Sequence, residues 1–255
     1  MENKIKPRVS VITAVKNGEK FLEKTILNIL NQKKIKFEYI IIDGGSTDKT
    51  LEIIKKYENK LAYWTSEKDE GISDAFNKGI KNANGVFINF QGDGDGFCNE
   101  YSLYELFKGI DINEYELVCG RVNRIDQDGK ILFTTPYIKK FKKRSLLFKL
   151  TLPHQGLFTK KNLFEKFGLF DSEIKFAMDY EHLLRMYKQF PKLKFKNIII
   201  SNWRKDGVGE NQYYHILKEY NKIKIKNKLI PQYLLILLHY WILIKYITKK
   251  IIKRN

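Results

Sequence analysis

The sequence predicts an α/β protein built on a mostly parallel sheet with helices on its faces. Three observations carry this. Over the first 90 residues, short β-branched apolar runs alternate with stretches of helical spacing. Turn residues such as Asn17-Gly18 and Asp43-Gly44-Gly45 punctuate the switches. The chain has 255 residues, 43% of them apolar and 30% charged. That is enough for a sizeable core in one large domain or two small ones, and it excludes a disordered or fibrous chain.

Val9 to Ala14 reads as the first strand. Phe21, Leu22, Ile26, Ile29 and Leu30 then repeat at helical spacing. Glu38 to Ile42 is a second strand, and Ser46 or Thr47 is a suitable N-cap for a helix through Leu51, Ile53, Ile54 and Tyr57. Leu61 to Thr65 predicts a third strand, Gly71 to Ala83 a helix, and Val86 to Phe90 a fourth strand. Farther on, Glu116 to Val122 and Lys130 to Thr135 suit strands paired around Asp126-Gln127-Asp128-Gly129. Lys139 to Lys149 is basic, with Phe141, Leu146, Leu147 and Phe148 interleaved. Leu163 to Phe167 and Met178 to Tyr187 suit helices, and Leu193 to Ile200 a strand. In sheets of this kind, ligands bind beyond the carboxyl ends of the strands. Those ends carry Thr13-Ala14-Val15, Asp43-Gly44-Gly45, Glu67-Lys68-Asp69 and Asp93-Gly94-Asp95, so acids gather where a ligand sits.

The rest of the chain is strongly basic. Lys and Arg number 47 against 29 Asp and Glu, a net charge of +18, which favours polyanionic partners such as nucleic acid, anionic lipid or phosphorylated substrates. Cys98 and Cys119 form no disulfide or zinc framework, so a reducing compartment is expected. Met1 to Arg8 lacks a signal-peptide core, which predicts a cytoplasmic protein.

Residues 213–255 form a distinct tail, with ten Lys/Arg and a single acid, Glu219. Tyr233 to Ile244 is apolar apart from His239, shorter than a spanning helix needs. A helical wheel gathers Gln232, His239, Lys245, Lys249, Lys250 and Lys253 on one side, and Tyr233, Tyr240, Trp241 and Tyr246 are interfacial aromatics. The expected organisation is a domain over 1–212 and a helical tail over 213–255. The tail is expected to lie on the anionic inner face of the cell membrane rather than in the core or across the bilayer.

Asp93-Gly94-Asp95 offers two carboxylates for a divalent cation, although the same tripeptide also makes a plain turn. Its context resembles a known family. Val9 to Asn17, Ile40 to Thr50, Ser66 to Gly79, and Phe170-Asp171 with Ala177-Met178-Asp179-Tyr180-Glu181 and Arg185 resemble, in order, motifs of family 2 glycosyltransferases of the bacterial surface-polysaccharide type. The resemblance implies a GT-A fold with a Rossmann-like nucleotide-binding half. It also implies a nucleotide-sugar donor, with UDP as the nucleotide, and inverting transfer to a lipid-linked or growing glycan.

The resemblance places Thr13, Ala14 and Val15 on the base and ribose side, Asp43 on the base, and Asp69 by the nucleotide or donor sugar. The family's ten-residue spacing from Gly85 lands on Asp95 as the ligand of Mn²⁺ or Mg²⁺, with Asp93 beside it. Asp179 aligns with the general base, Glu181 is the fallback, and Met178 replaces the usual preceding acid. His154 and Arg204 are candidate acceptor or phosphate contacts, and Trp203-Arg204 with Gly207-Val208-Gly209 a candidate lid. Two other readings stand beside this one: a basic nucleic-acid-binding protein, and an inactive sugar-nucleotide-binding homologue. The acids at the strand ends, rather than a basic groove, favour the transferase and no nucleic-acid partner.

Overall fold

A computed structural model describes residues 6–205, 207, 212–229 and the single positions 231, 234, 237, 240 and 244. Its elements in order are β1 (Val9–Val15), α1 (Leu22–Leu30), β2 (Phe37–Asp43), α2 (Thr50–Tyr57), β3 (Tyr63–Ser66), α3 (Ile72–Asn82), β4 (Phe87–Gly92), β5 (Gly96–Phe97), α4 (Ser102–Phe107), β6 (Leu117–Ile125), β7 (Ile131–Thr134), β8 (Leu157–Lys160), α5 (Lys161–Phe167), α6 (Met178–Arg185), β9 (Leu193–Arg204) and α7 (Tyr213–Lys226). The strands join in one sheet, ordered β3-β2-β1-β4-β8-β6-β9-β5, with β7 on β6.

The expected α/β class is observed. β1, β2, β3 and β4 pair in parallel. Both β4 and β6 run antiparallel to β8, so β6 points the same way as β4, and β9 is parallel to β6. The carboxyl ends of β1, β2, β4, β6 and β9 therefore share one end of the sheet.

Alternation along the strands separates two cores. Ile40 and Ile42 face one layer with Ile12, Phe76 and Phe90. Tyr39 and Ile41 face the other with Val11, Ile26 and Phe87. A strand buried on both faces reads as a continuous apolar run, as β1 does. At Gly79 a Cβ would sit 2.4 Å from Ile12 Cγ2, so glycine is what lets α3 lie close on β1.

Several local expectations shift. The first turn of α2 begins at Thr50, after Lys49, rather than at a Ser46 or Thr47 cap. The Ser46 hydroxyl is drawn to Asp43 instead, and Asp48 Oδ1 accepts from Thr50 N at 3.0 Å. β5, α4 and β8 went unread, being two to six residues long. Packing also runs past residue 212. Leu217, Ile223 and Lys224 of α7 are buried, and Ile223, Tyr220 and Leu229 join the first core. α7 thus packs on the α/β domain. Of the apolar run, Leu234, Leu237, Tyr240 and Ile244 are described and exposed; Tyr233, His239, Trp241 and the lysines from Lys245 onward lie outside the described residues. Among the described residues, no helix is long and apolar enough to cross a membrane.

Candidate active site

The carboxyl end of the sheet collects the acids that the sequence singled out. Asp43 ends β2 fully buried. Its Oδ2 accepts from Ser66 Oγ at 2.6 Å and Ser46 N at 3.1 Å, and its Oδ1 accepts from Ser46 Oγ. Three of roughly four lone-pair positions on the carboxylate are filled, which fixes its plane and leaves one acceptor position. Asp69 meets the same corner. A Cβ on Gly44 would lie 2.3 Å from Asp69 Oδ2, so the glycine admits that carboxylate. Asp69 Oδ1 accepts from Gly71 N at 3.1 Å, ahead of α3.

Thr13, Ala14 and Val15 divide between the sheet faces. Thr13 is fully buried, and its Oγ1 accepts from Tyr39 OH at 3.0 Å. Its side chain therefore serves the core and lines no ligand surface. Val15 is buried against the second core, while Ala14 packs at the margin of the first.

Beyond β4, Asp93 and Asp95 differ in setting. Asp95 is buried. Its Oδ1 accepts from Arg204 N at 2.9 Å, and its Oδ2 from Gly92 N at 3.0 Å and Gln155 Nε2 at 3.1 Å. Burial pushes its carboxyl up to about 6, against the pull of those donors. Asp93 is more open, and its Oδ2 faces Arg204 Nη2 at 3.9 Å. Burial raises it too, with Arg204 opposing. Arg204 stands over the Phe21 ring at 3.9 Å and occupies the space that a Cβ on Gly94 would take, 2.2 Å from Arg204 Nε. Gly94 has φ +82, a left-handed backbone that glycine adopts without strain.

This donor set suits Mg²⁺ or Mn²⁺, which take few protein oxygens and complete their shell with water and phosphate. The structural observation in its favour is electrostatic: Asp95 is a buried carboxylate held only by neutral donors, so positive charge is what its surroundings lack. Among the described residues, no three His, Cys, Asp or Glu side chains converge on a cation.

Asp179 lies in the first turn of α6. Its Oδ2 is 3.6 Å from His154 Nδ1, and its Oδ1 accepts from Tyr180 N at 2.7 Å. Both side chains border a small apolar cavity with Phe90, Phe164 and Phe170. Burial there raises the Asp179 carboxyl, with His154 opposing, and lowers the His154 imidazole, with Asp179 opposing. A raised carboxyl is a stronger base, and a depressed imidazole stays neutral near pH 7. The ring of His154 stacks on Phe90 at 5.3 Å and 6°.

His154 and Gln155 share a single turn. One side chain faces Asp179 and the next binds Asp95, so the turn links the two carboxylate centres. β4 holds it in place. Asn89 Nδ2 donates to the Gln155 and Leu157 carbonyls at 3.1 and 3.0 Å, and Gln91 Nε2 to the Gln155 carbonyl at 3.0 Å. Ser201 Oγ completes the network on Gln91 Oε1 at 2.9 Å. Gln155, Asn89 and Gln91 were not singled out from the sequence. The available signal was two amides, two apart, inside an otherwise apolar strand.

Glu181, the fallback base, is not brought to this site. It is buried and paired with Arg185, which donates through Nε at 3.1 Å and through Nη2. Arg185 Nη1 in turn donates to the Phe167 and Leu169 carbonyls at 2.7 and 2.8 Å. Of the candidate lid, Trp203, Arg204 and Gly207 are described, while Val208 and Gly209 lie outside the described residues.

A dolichyl N-acetyl-alpha-D-glucosaminyl phosphate 3-beta-D-2,3-diacetamido-2,3-dideoxy-beta-D-glucuronosyltransferase of Methanococcus voltae is 31% identical over 222 residues, 76% of this chain and 66% of its own length. S. aureus TarS 1-349, solved with UDP-GlcNAc, superposes with a TM-score of 0.67 at 18% identity, over 91% of this chain and 70% of that one. This chain spans 41% of the longer TarS structure. The mannosyltransferase PcManGT from Pyrobaculum calidifontis, solved with GDP-Man and Mn²⁺, gives 0.65 at 17% identity, covering 92% and 69% of the two chains. These structures share the GT-A fold with this protein. Residues 10–168 match the sequence profile of Glycosyl transferase family 2, and the chain is therefore a member of that family and a glycosyltransferase.

Proposed function

We propose that the protein moves a sugar from a UDP-sugar to a hydroxyl of a lipid-linked or growing surface glycan, inverting the anomeric carbon. The observation that carries this reading is the His154–Gln155 turn, which ties a buried base candidate, Asp179, to the acidic corner at Asp93 and Asp95. Asp179 takes the proton of the acceptor hydroxyl as its oxygen attacks the anomeric carbon. The bond from that carbon to the diphosphate oxygen breaks, and the nucleoside diphosphate leaves with the electron pair. Neutral His154 keeps Asp179 oriented and shields it on the Phe90 side. Asp43 accepts from the base and Asp69 borders the donor sugar. Arg204, freed from Asp93, donates to the diphosphate.

Asp95 and Asp93 would hold Mn²⁺ or Mg²⁺, which when bound neutralises charge on the departing diphosphate. Support for donor and cation comes from the relatives' printed ligands, UDP-GlcNAc for TarS and GDP-Man with Mn²⁺ for PcManGT. Support for a lipid-linked acceptor comes from the dolichyl phosphate in the Methanococcus enzyme's name.

We further propose a cytoplasmic enzyme, peripheral on the inner face of the cell membrane, with the chain beyond Lys228 as its anchor. The basic excess of that tail and the exposure of Leu234, Leu237, Tyr240 and Ile244 support this. The test is a panel of sugar nucleotides with a lipid-linked acceptor, read by product mass spectrometry and by thermal shift with Mn²⁺. One nucleoside diphosphate series should stabilise the protein and one donor should turn over. Asp95→Ala should abolish metal-dependent transfer, and Asp93→Ala should reduce it less. Stabilisation by oligonucleotides instead would reject the reading, and donor binding without turnover would indicate an inactive homologue.

A further inference from the structure

The basic, aromatic-laced stretch that follows the Asp126 to Gly129 turn plays no part in the chemistry above. From Gly129 to Lys149 the chain carries seven Lys/Arg and no Asp or Glu. Its first part is β7, where the consecutive residues Ile131, Leu132 and Phe133 are 55%, 48% and 46% exposed. Neighbouring strand residues point to opposite faces, so both faces of β7 are apolar and open. β7 pairs with β6, and among the described residues its other edge has no strand partner. Tyr137 and Phe148 add exposed aromatic surface. Lys130, Lys139, Lys140, Lys142, Lys143 and Arg144 are exposed in the same segment of the chain. Large apolar side chains exposed together in one short segment mark an interaction site.

Its position is informative. The hairpin grows from the carboxyl end of β6, the sheet end that carries Asp93 and Asp95. At its root Ile125 stands in register with Arg204, and Lys205 N donates to the Ile125 carbonyl at 2.8 Å. Arg204 N is itself a donor to Asp95. One strand therefore separates the hairpin root from the acidic corner.

We propose that the β6–β7 hairpin and the loop through Arg144 dock on an anionic lipid bilayer. Ile131, Leu132, Phe133 and Tyr137 enter the interfacial layer, and the lysines meet lipid phosphates. Exposed apolar and aromatic side chains in a lysine-rich segment suit that boundary. Charge complementarity selects the bilayer over a second copy of the chain, because two such surfaces face to face would oppose cation to cation. Docking here holds the acidic corner at the membrane surface, within reach of an acceptor whose lipid stays in the bilayer.

This surface shares no residue with the tail, but it deepens the membrane reading given above and rests on it. The test is co-sedimentation of the full chain with vesicles of phosphatidylcholine alone, or of equal parts phosphatidylcholine and phosphatidylglycerol. Two double variants are compared: Leu132→Ser with Phe133→Ser, and Lys139→Glu with Lys140→Glu. A lysine beside an anionic surface strengthens binding about fivefold, so the charge-reversed pair should bind the mixed vesicles at least about tenfold more weakly. The serine pair should lose a similar factor on both compositions. Melting temperature and turnover on a short soluble acceptor should stay at the wild-type level. Should the serine pair lower the melting temperature, the charge-reversed pair decides the matter.

A chain ending at Lys228 is measured in parallel. If that truncation abolishes binding while both hairpin variants bind normally, the hairpin proposal is overturned and the tail anchor stands. If the hairpin variants lose binding and the truncation does not, the hairpin stands and the tail anchor falls. Unchanged vesicle binding with a change of mass by light scattering would overturn the proposal and assign the face to contacts between copies.

Discussion

Glu219 of α7 caps the segment that leads into Ala177 and the base candidate. Its Oε2 accepts from Ala177 N at 3.0 Å and Phe176 N at 2.9 Å, and its Oε1 from Lys175 N at 2.9 Å. These amides precede the first turn of α6, where no intrahelical acceptor is available, and a carboxylate complements the positive end of the helix. The contact extends along α7 in reverse order, with Lys222 at 3.7 Å from Glu173 and Lys226 at 2.6 Å from Asp171. Tyr220 stacks on Tyr180 at 3.9 Å. The single acid of an otherwise basic stretch is thus the residue that orders the approach to Asp179.

Glu219→Gln should lower kcat, leave donor affinity unchanged and reduce the melting temperature by several degrees. Hydrogen bonds to a charged group contribute about 1.5–3 kcal/mol, and the amide leaves one oxygen for three donors. Glu219→Asp should recover part of the rate. Nucleotide binding by calorimetry beside single-turnover rates separates this from general destabilisation, which would depress both.

Asp179→Asn should reduce kcat by about 10²–10⁴, the usual contribution of a general base, with donor binding retained. The carboxyl is raised above 3.8, so the acid limb of kcat should lie above the ordinary aspartate range, with activity rising as pH increases through it. His154 lowers that value. Its replacement by Gln should move the limb to higher pH, because the imidazole, neutral near pH 7, takes up a proton in acid and its charge then favours the ionised carboxylate. A limb that moves downward would reject the pairing.

Gly94→Ala should raise the donor KM. The methyl group would enter the position of Arg204, and φ +82 adds roughly 1–2 kcal/mol of backbone strain. Arg204→Ala should produce a similar rise, and the double variant should fall well short of the sum, because both act on one side chain. Full additivity in the steady-state comparison would separate the two residues.

Lys224→Met should stabilise the protein at pH 7. The lysine is fully buried, its ammonium has no hydrogen-bond partner among the described residues, and burial lowers it to about 8. Between that value and the unfolded range near 10.4 the unfolded chain binds more protons, so wild-type stability should rise with pH across this window. The methionine variant should lose that rise. Melting curves from pH 7 to pH 10 read both effects.

The sequence alone was sufficient for the parallel half of the sheet, for the two-layer pattern of β1, β2 and β4, and for the acids at the strand ends. Each follows from a local rule: period-two or period-3.6 burial, turn residues at each switch, and the directional habit of βα units. Asp43 and Asp95 were legible as candidates at such ends, and Asp179 as a candidate in a motif that opens a helix. What only the tertiary structure decided were relationships between segments distant in the chain. Gln155 reaches Asp95 across 60 residues, and Glu219 reaches Ala177 across 42. Thr13 turned inward to Tyr39 and Glu181 to Arg185, because partners from another strand or another turn satisfied them first. β5 and β8, of two and four residues, show no periodicity of their own and exist through pairing with β9, β4 and β6. α7 read as tail because its composition is basic. It packs on the domain because one face carries Leu217, Tyr220 and Ile223, and burying that face outweighs the cost of ordering the helix.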